Sequence, residues 1–352
     1  MTNVQTIGIL GGGQLGRMLS VAASRLGLKT HIYEPSANPP AGHVADAVTT
    51  ASYDDASALQ AFAASVDVIT YEFENIPTSA LDLLESVRPI HPPRGALATS
   101  QDRLTEKTFL QSLGLQTAPF ADVQNADDLA KAIADIRTPA ILKTRTMGYD
   151  GKGQARIMSP ADADAALADM AGAPSILEGF VNFSHEVSVI GARGADGAVS
   201  CFDPGENVHV DGILRTTTVP AKLTPSQRTD AVLIAARILN ALDYVGVMGL
   251  ELFVTPQGLI VNEIAPRVHN SGHWTQNGCT IDQFEQHIRA VAGWPLGDGS
   301  RHSDVVMENL IGDDMDKVPA LAKTNAAIHL YGKSEVKAGR KMGHVNHVKK
   351  GA

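Results

Sequence analysis

The chain has 352 residues, 44% of them apolar and 19% charged, and a formal net charge of −9. This length exceeds a single ordinary core, so we expect two or three domains. The acidic balance disfavours nucleic acid as a partner. Two cysteines without paired spacing and the lack of an 18-residue apolar run predict neither disulfides nor a membrane partner, and favour the cytoplasm.

Residues 1–98 alternate between strand-like and helix-like patterns. In chain order, the patterns predict a strand at 6–10, a helix at 15–26, a strand at 29–33, a helix at 56–64 and a strand at 66–71. Such alternation indicates a parallel sheet covered by helices. Three prolines within residues 88–93 mark a domain boundary near residue 98.

The first strand runs into a glycine turn of the form G-x-G-x-x-G at residues 11–16, and Glu34 follows at the end of the second strand. This is the arrangement of a dinucleotide fold, in which the acid binds a ribose. The alternative is a tight turn whose free amides bind another anion, or none. By itself this segment favours NAD.

The next region mixes both patterns. The predicted elements are a helix at 101–113 capped by Ser100, a helix at 126–136, strands at 140–143 and 154–158, a strand-rich stretch at 175–201, a helix at 224–242, strands at 245–254 and 259–263, and a strand at 326–330.

A lysine at a strand end, Lys143, precedes a loop with three glycines at 148, 151 and 153. Glycines allow backbone amides to fold around phosphates, and a lysine at this place reaches phosphate oxygens. The pattern is not a Walker motif, because G-K-[ST] is missing. The alternative is a flexible hairpin with solvated basic flanks.

Two acids flank a predicted hairpin. Pro256 and Gly258 suit a three-residue turn that pairs Thr255 with Leu259, and therefore Glu251 with Glu263. Like charges in facing positions destabilise a sheet unless a cation lies between them. Oxygen ligands on adjacent strands suit magnesium that bridges nucleotide phosphates. The alternative is a solvated acidic pair.

Five motifs, taken in order, resemble the N5-carboxyaminoimidazole ribonucleotide synthetase family of the ATP-grasp superfamily. They lie at residues 70–77, 100–104, 148–154, 207–209 and 262–275. The resemblance implies an α/β fold: a Rossmann-like parallel sheet domain (1–98), an ATP-grasp domain (99–295) with lobes at about 99–175 and 176–295, and a small β-rich C-terminal domain (296–352).

The resemblance also implies the reaction. ATP, bicarbonate and 5-aminoimidazole ribonucleotide would give N5-carboxyaminoimidazole ribonucleotide, ADP and phosphate by way of carboxyphosphate, in purine synthesis. Two Mg²⁺ ions are expected and NAD is not, and the family implies a homodimer. The competing hypotheses are another ATP-grasp carboxylase or formate-dependent ligase, an NAD-dependent oxidoreductase, and a nucleotide sensor without turnover.

Site residues carry over from the family position by position. The expected ATP-binding residues are Arg103, Lys143, Gly148, Tyr149, Asp150, Gly151, Lys152, Gly153, Gln154, Glu178, Gly179, Phe180, Val181, Glu186, His209, Asn262 and Glu263. The expected residues around the ribonucleotide are Gln14, Leu15, Glu72, Asn270, Ser271, Lys333 and Arg340. The expected catalytic residues are Tyr149, Asp150, Arg267 and Lys333, and the expected metal ligands are Glu251 and Glu263.

One position departs from the superfamily pattern. The asparagine expected two residues after the second metal-binding acid is Ala265 here. The resemblance then implies that the two glutamates bind the metal, together with Asn262 or water.

Overall fold

Three β-sheets organise the chain, which the computed structural model describes over residues 4–148 and 152–349. The first sheet is parallel, and the other two are antiparallel. Mixed α/β architecture is confirmed. Among the described residues, no helix is both long enough and apolar enough to cross a membrane.

The N-terminal sheet has the strand order β3-β2-β1-β4. Its region contains β1 Thr6–Leu10, α1 Gln14–Arg25, β2 Lys29–Tyr33, β3 Ala47–Thr49, α2 Ala56–Ala64, β4 Val68–Tyr71, α3 Thr78–Glu85 and α4 Arg94–Gln101. Strands β1 and β4 are buried almost throughout, as expected for parallel strands covered on both faces. The predicted strand–helix alternation is confirmed here.

The small antiparallel sheet has the order β5-β8-β6-β7. Its region contains α5 Arg103–Ser112, β5 Phe120–Val123, α6 Ala126–Ile136, β6 Ala140–Thr144, β7 Gln154–Ile157, α7 Ala163–Asp169 and β8 Ser175–Gly179. The predicted single helix capped by Ser100 is wrong. Asp102 leaves the helical conformation and caps α5, since its Oδ1 accepts from the amides of Leu104 (2.9 Å) and Thr105 (3.0 Å).

The central sheet has the order β14-β13-β9-β11-β12-β15-β17-β16, with β10 paired to β9. Its region contains β9 His185–Arg193, β10 Val199–Cys201, β11 Gly205–Val210, β12 Ile213–Val219, α8 Pro225–Ala241, β13 Gly246–Thr255, β14 Gly258–Ala265, α9 Thr275–Gly278, α10 Gln283–Val291, β15 Asp304–Ile311, α11 Val318–Leu321, β16 Ala327–Leu330 and β17 Lys341–Lys349. The C-terminal strands thus extend one continuous sheet. The domain boundaries near residues 98 and 295 stay proposals.

The β13–β14 hairpin differs from its predicted register at the turn. Thr255 pairs with Gly258, which leaves a two-residue turn, and the predicted pairing with Leu259 is wrong. A β-bulge at Asn262 adds one residue to β14 and shifts the register back. Glu251 therefore does face Glu263, as predicted, but through a tighter turn and a bulge.

His287 of α10 joins the N-terminal sheet to the central sheet. Its Nδ1 accepts from the Val247 amide at 3.0 Å, so Nε2 carries the proton and donates to Thr70 Oγ1 at 2.8 Å. Burial, together with the nearby His91, lowers the pKa of His287 to about 3. The contact therefore depends on a neutral imidazole.

We predict that this histidine makes the fold acid-sensitive. Below about pH 6.5, the pKa of an unfolded histidine, only the unfolded chain takes up the proton. The free energy of unfolding falls by about 1.4 kcal/mol per pH unit between pH 6.5 and 3 from this group alone. His287→Gln, which keeps a donor and an acceptor, reduces that slope in denaturant titrations from pH 7 to 4.

The matched control is His302→Gln at an exposed histidine. Its slope stays that of the wild type. Equal slopes for His287→Gln and the wild type would contradict the assignment.

Candidate active site

The amides of the glycine turn already have partners within the protein. Glu72, which follows β4, accepts from Gly16 N at 2.6 Å and from Gly13 N, and Glu34 accepts from Gly12 N at 2.9 Å. Burial raises the pKa of Glu72, although these two amides oppose the shift. The donors that would receive a dinucleotide pyrophosphate are thus taken up by carboxylates. Gln14 and Leu15 lie beside them at the start of α1.

A second cluster lies on the small sheet. Lys143, at the end of β6, donates to Glu178 Oε2 of β8 at 2.9 Å. Burial lowers the pKa of Lys143 more than the carboxylate raises it. Burial alone would raise the pKa of Glu178, but Lys143 and Lys107 bring it below its usual value. Lys143, Lys107 and Arg103 therefore concentrate positive charge around Glu178. The space between the small sheet and the central sheet at this cluster is called the cleft below.

The acidic pair lies on the facing strands. Arg103 Nη1 lies 3.1 Å from Glu263 Oε2, whereas Asn262 Nδ2 lies 3.4 Å from Glu251 Oε2. Burial raises the pKa of Glu251, and the charge of Glu263 raises it further. Burial acts the same way on Glu263, but Arg103 and Lys143 lower its pKa below the usual range. One carboxylate thus has a cationic partner, and the other faces a like charge.

His269 does not neutralise Glu251. Its Nε2 lies 3.6 Å from Glu251 Oε1, but burial and the nearby Arg267 lower the pKa of His269 to about 3. The imidazole is neutral at pH 7. Two oxygen-bearing side chains that face each other without a cation between them are a donor set suited to Mg²⁺.

Glu251 also belongs to a second group. Ligand atoms of Glu186, His209 and Glu251 all lie within 4.8 Å of one another, and His209 Nδ1 is 2.9 Å from Glu186 Oε2. The predicted ATP-side residues Glu186 and His209 are thus next to the predicted metal ligand. Within this group the imidazole contacts the Glu186 carboxylate, and Glu251 lies close to both.

The glycine loop begins and ends on paired strands. Lys143 lies opposite Gln154, and the Thr144 amide donates to Gly153 O at 2.8 Å. Gly153 has a φ of 68°, which suits glycine. Gly148 and Lys152 mark the two ends of the apex, while Tyr149, Asp150 and Gly151 lie outside the described residues.

The segment after β8 forms another wall. Gly179 ends the strand, Phe180 is exposed, and Val181 is half-buried. These three residues directly follow Glu178, the partner of Lys143, and leave the sheet at the start of β6, where Gly179 pairs with Ala140.

Arg267 connects the end of β14 to the N-terminal domain. Its Nε and Nη2 donate to the two carboxylate oxygens of Glu74, at 2.7 and 2.9 Å. This forked pair orients the guanidinium. In the turn that follows, Ser271 Oγ contacts Ser188 Oγ at 2.7 Å and His269 Nδ1 at 2.8 Å. Asn270 Oδ1 is buried and has no hydrogen-bond partner among the described residues.

Lys333 and Arg340 lie between β16 and β17. Lys333 Nζ donates to Lys341 O at 2.7 Å, and Arg340 Nη1 donates to Glu335 O at 3.3 Å. The segment passes α1, since a side-chain carbon at Gly332 would lie 3.4 Å from Arg17 Nη1. Gly332, next to Lys333, thus lies beside α1, whereas a side-chain carbon at Gly339, next to Arg340, would lie 3.7 Å from Ile213 of β12.

Helix α5 contributes residues that the sequence analysis missed. Glu106 Oε1 accepts from the Ile264 amide at 2.7 Å, and burial raises the pKa of Glu106 to about 8. Arg145 holds the base of the glycine loop through Asp102, with Nε 2.9 Å from Oδ2. In the sequence, Glu106 lies just after the motif at residues 100–104 and Arg145 lies just before the glycine loop, and these positions were the available signals.

Family models match three successive parts of the chain. The ribonucleotide synthetase preATP-grasp domain matches residues 4–101, the ATP-grasp domain matches 108–284, and the phosphoribosylaminoimidazole carboxylase C-terminal domain matches 305–352. The first model covers the N-terminal sheet, the second covers the small sheet and strands β9 to β14 of the central sheet, and the third covers most of β15 together with β16 and β17 of the central sheet.

Whole-chain relatives agree with this. An N5-carboxyaminoimidazole ribonucleotide synthase of Brucella melitensis is 57% identical over 98% of this chain and 96% of its own. The ADP complex of an N5-carboxyaminoimidazole ribonucleotide synthetase superposes with a TM-score of 0.96 at 43% identity, covering 100% of this chain and 94% of the other. An Aspergillus clavatus N5-carboxyaminoimidazole synthase in complex with ADP and 5-aminoimidazole ribonucleotide gives 0.93 at 32%, covering 99% and 95%. This chain therefore belongs to the N5-carboxyaminoimidazole ribonucleotide synthase family of ATP-grasp ligases.

Proposed function

We propose that this chain carboxylates 5-aminoimidazole ribonucleotide with bicarbonate, converts ATP to ADP and phosphate, and forms N5-carboxyaminoimidazole ribonucleotide for purine synthesis. The observation that carries the proposal is the facing pair Glu251 and Glu263 beside the Lys143–Glu178 cluster. The names of its relatives and the ligands of the Aspergillus clavatus structure support it.

ATP is proposed to lie between the small sheet and the central sheet. Lys143 and Arg103 supply charge for the phosphates, with the glycine loop from Gly148 to Gln154 covering them. Glu178 and the following backbone to Val181 receive the adenine. Glu186 and His209, which lie within hydrogen-bonding distance of each other, are placed to receive the ribose hydroxyls.

Mg²⁺ is proposed to be held by Glu251 and Glu263, with Asn262 in reach of Glu251. Two ions are proposed, as is usual for transfer of a γ-phosphoryl group. When bound, they neutralise charge that develops on the phosphates. The residues fit such an ion because two half-buried carboxylates face each other and Glu263 alone of the two has an arginine partner.

Bicarbonate is a weak electrophile, so its oxygen must first attack the γ-phosphorus to form carboxyphosphate. The new oxygen–phosphorus bond forms as the bond to ADP breaks. Carboxyphosphate is short-lived in water, and the glycine loop is proposed to exclude solvent from it. Arg267, oriented by Glu74, is proposed to stabilise the charge on bicarbonate and its phosphorylated product.

The ribonucleotide is proposed to bind along the start of α1. Gln14, Leu15 and Glu72 lie at the glycine turn, and Lys333 and Arg340 approach from the C-terminal segment to meet its phosphate. Asn270 and Ser271 complete the proposed site next to Arg267. Tyr149 and Asp150 are proposed to close it and assist proton transfer from the exocyclic amine.

Two broader properties stay proposals. A homodimer and a cytoplasmic location are expected for this family, and both are measurable in the purified protein and in cells.

We predict that purified protein releases ADP only when 5-aminoimidazole ribonucleotide and bicarbonate are both present. Bicarbonate accepts the γ-phosphoryl group and the substrate amine accepts the carboxyl group, so turnover needs both. Coupled ADP detection measures this, with formate in place of bicarbonate as the comparison. Equal ADP release with formate would favour a formate-dependent ligase, and hydride transfer to or from NAD would favour an oxidoreductase.

We predict that Glu263→Gln lowers the rate of ADP release by at least roughly a hundred-fold. The change removes the charge of a proposed Mg²⁺ ligand, and the ion would neutralise charge on the transferring phosphoryl group. Steady-state turnover at saturating Mg²⁺ measures the loss. Circular dichroism and thermal unfolding check that the variant stays folded.

Glu85→Gln serves as the control, since Glu85 is an exposed residue of α3. It keeps wild-type turnover. Near-wild-type turnover of Glu263→Gln would remove the metal assignment.

A further inference from the structure

Lys107 of α5 is a buried lysine to which no role has been assigned above. Only 1% of the residue is exposed. Its Nζ lies 3.1 Å from the backbone oxygen of Asn262 and 3.3 Å from Glu178 Oε2. Lysine is almost never buried to this degree unless its charge is paired, so these contacts hold the ammonium in place.

The two contacts lie on different sheets. Glu178 belongs to β8 of the small sheet, and Asn262 is the bulged residue of β14 in the central sheet. A bulge leaves the extra residue outside the regular ladder, so its carbonyl is open to another donor. Lys107 therefore ties the carboxylate on one side of the cleft to the strand that carries Glu263 on the other.

Two lysines share a single carboxylate oxygen. Lys143 Nζ lies 2.9 Å from the same Glu178 Oε2. The two lysines differ in access, because 14% of the Lys143 side chain is exposed and 1% of the Lys107 side chain. Lys143 is thus the one that is able to move into the cleft.

The charges explain why Glu178 needs two lysines. When Lys143 turns to a phosphate, Glu178 would be left as a buried carboxylate without a cation if Lys107 were missing. Such a group is strongly destabilised, so Lys143 would be held back by Glu178. With Lys107 present, Glu178 keeps a cationic partner throughout.

We propose that Lys107 is a positioning residue that keeps Glu178 ionised and in place, so that Lys143 is released to a nucleotide phosphate. This inference rests on the proposed function, since it takes ATP to be the ligand of the cleft. It assigns Lys107 no contact with the nucleotide.

The first test is Lys107→Met, which keeps the length of the side chain and removes its charge. The KM for ATP rises roughly ten- to a hundred-fold, the effect of one lost charged hydrogen bond, while kcat at saturating ATP falls much less. Lys131→Met is the matched control at an exposed lysine of α6, and it leaves both constants unchanged. An unchanged KM in Lys107→Met would overturn the inference.

The second test separates this role from general packing. In a Glu178→Gln background, Lys143 is no longer held by a carboxylate. Lys107→Met then raises the KM for ATP much less than it does in the wild type. Equal effects in both backgrounds would show that Lys107 acts through packing alone, and would overturn the inference.

The third test does not depend on whether a variant folds. In a crystal structure of the wild type with a non-hydrolysable ATP analogue and Mg²⁺, Lys143 Nζ contacts a phosphate while Lys107 Nζ stays within hydrogen-bonding distance of Glu178. A structure in which Lys107 contacts the phosphate and Lys143 stays on Glu178 would overturn the inference. A wild-type protein that neither binds nor hydrolyses ATP would instead refute the proposed function.

Discussion

The cleft is built around two like charges that the fold forces together. Glu251 and Glu263 face each other on adjacent strands, where mutual repulsion and burial both disfavour ionisation. Arg103 stabilises one of them directly. The other, Glu251, has the Asn262 amide and the neutral His269 imidazole beside it, and the His209 imidazole within 4.8 Å. The contacts around this pair hold it in an arrangement that suits the binding of a cation and a polyphosphate.

Helix α5 is the element that makes this possible. Three of its residues reach β14: Arg103 contacts Glu263, Glu106 accepts from the Ile264 amide, and Lys107 donates to the Asn262 carbonyl. The same helix reaches the small sheet through Glu178. Both sheets that border the cleft therefore contact the same helix. Helix α5 sets the positions of the residues in the cleft together with their charges.

Local patterns predicted much of this from the sequence. The alternation in the N-terminal region, the capped helix α8 and the Glu251–Glu263 pairing depend on residues close together in the chain, so periodicity and turn chemistry suffice for them. The turn itself was predicted one residue too long. A bulge leaves no reliable signal in a single sequence, and here it happened to restore the predicted pair.

Contacts between distant segments could not be predicted in this way. The residues around Lys107 and Glu106 in the sequence do not indicate that these two side chains are buried. Their partners on β14 are more than 150 residues away in the chain. The glycine turn by itself favours NAD for the same reason, because its contacts with distant residues are not visible in the sequence. Its spacing fits a dinucleotide site, but Glu34 and Glu72 take up its amides only once the strands are assembled.

One measurement tests the central claim directly. Crystals grown with ADP and Mn²⁺, a magnesium substitute with anomalous scattering, would locate the cation without any assumption about turnover. We predict an anomalous peak in contact with carboxylate oxygens of both Glu251 and Glu263. A peak held by Glu186, His209 and Glu251, with Glu263 uninvolved, would contradict it.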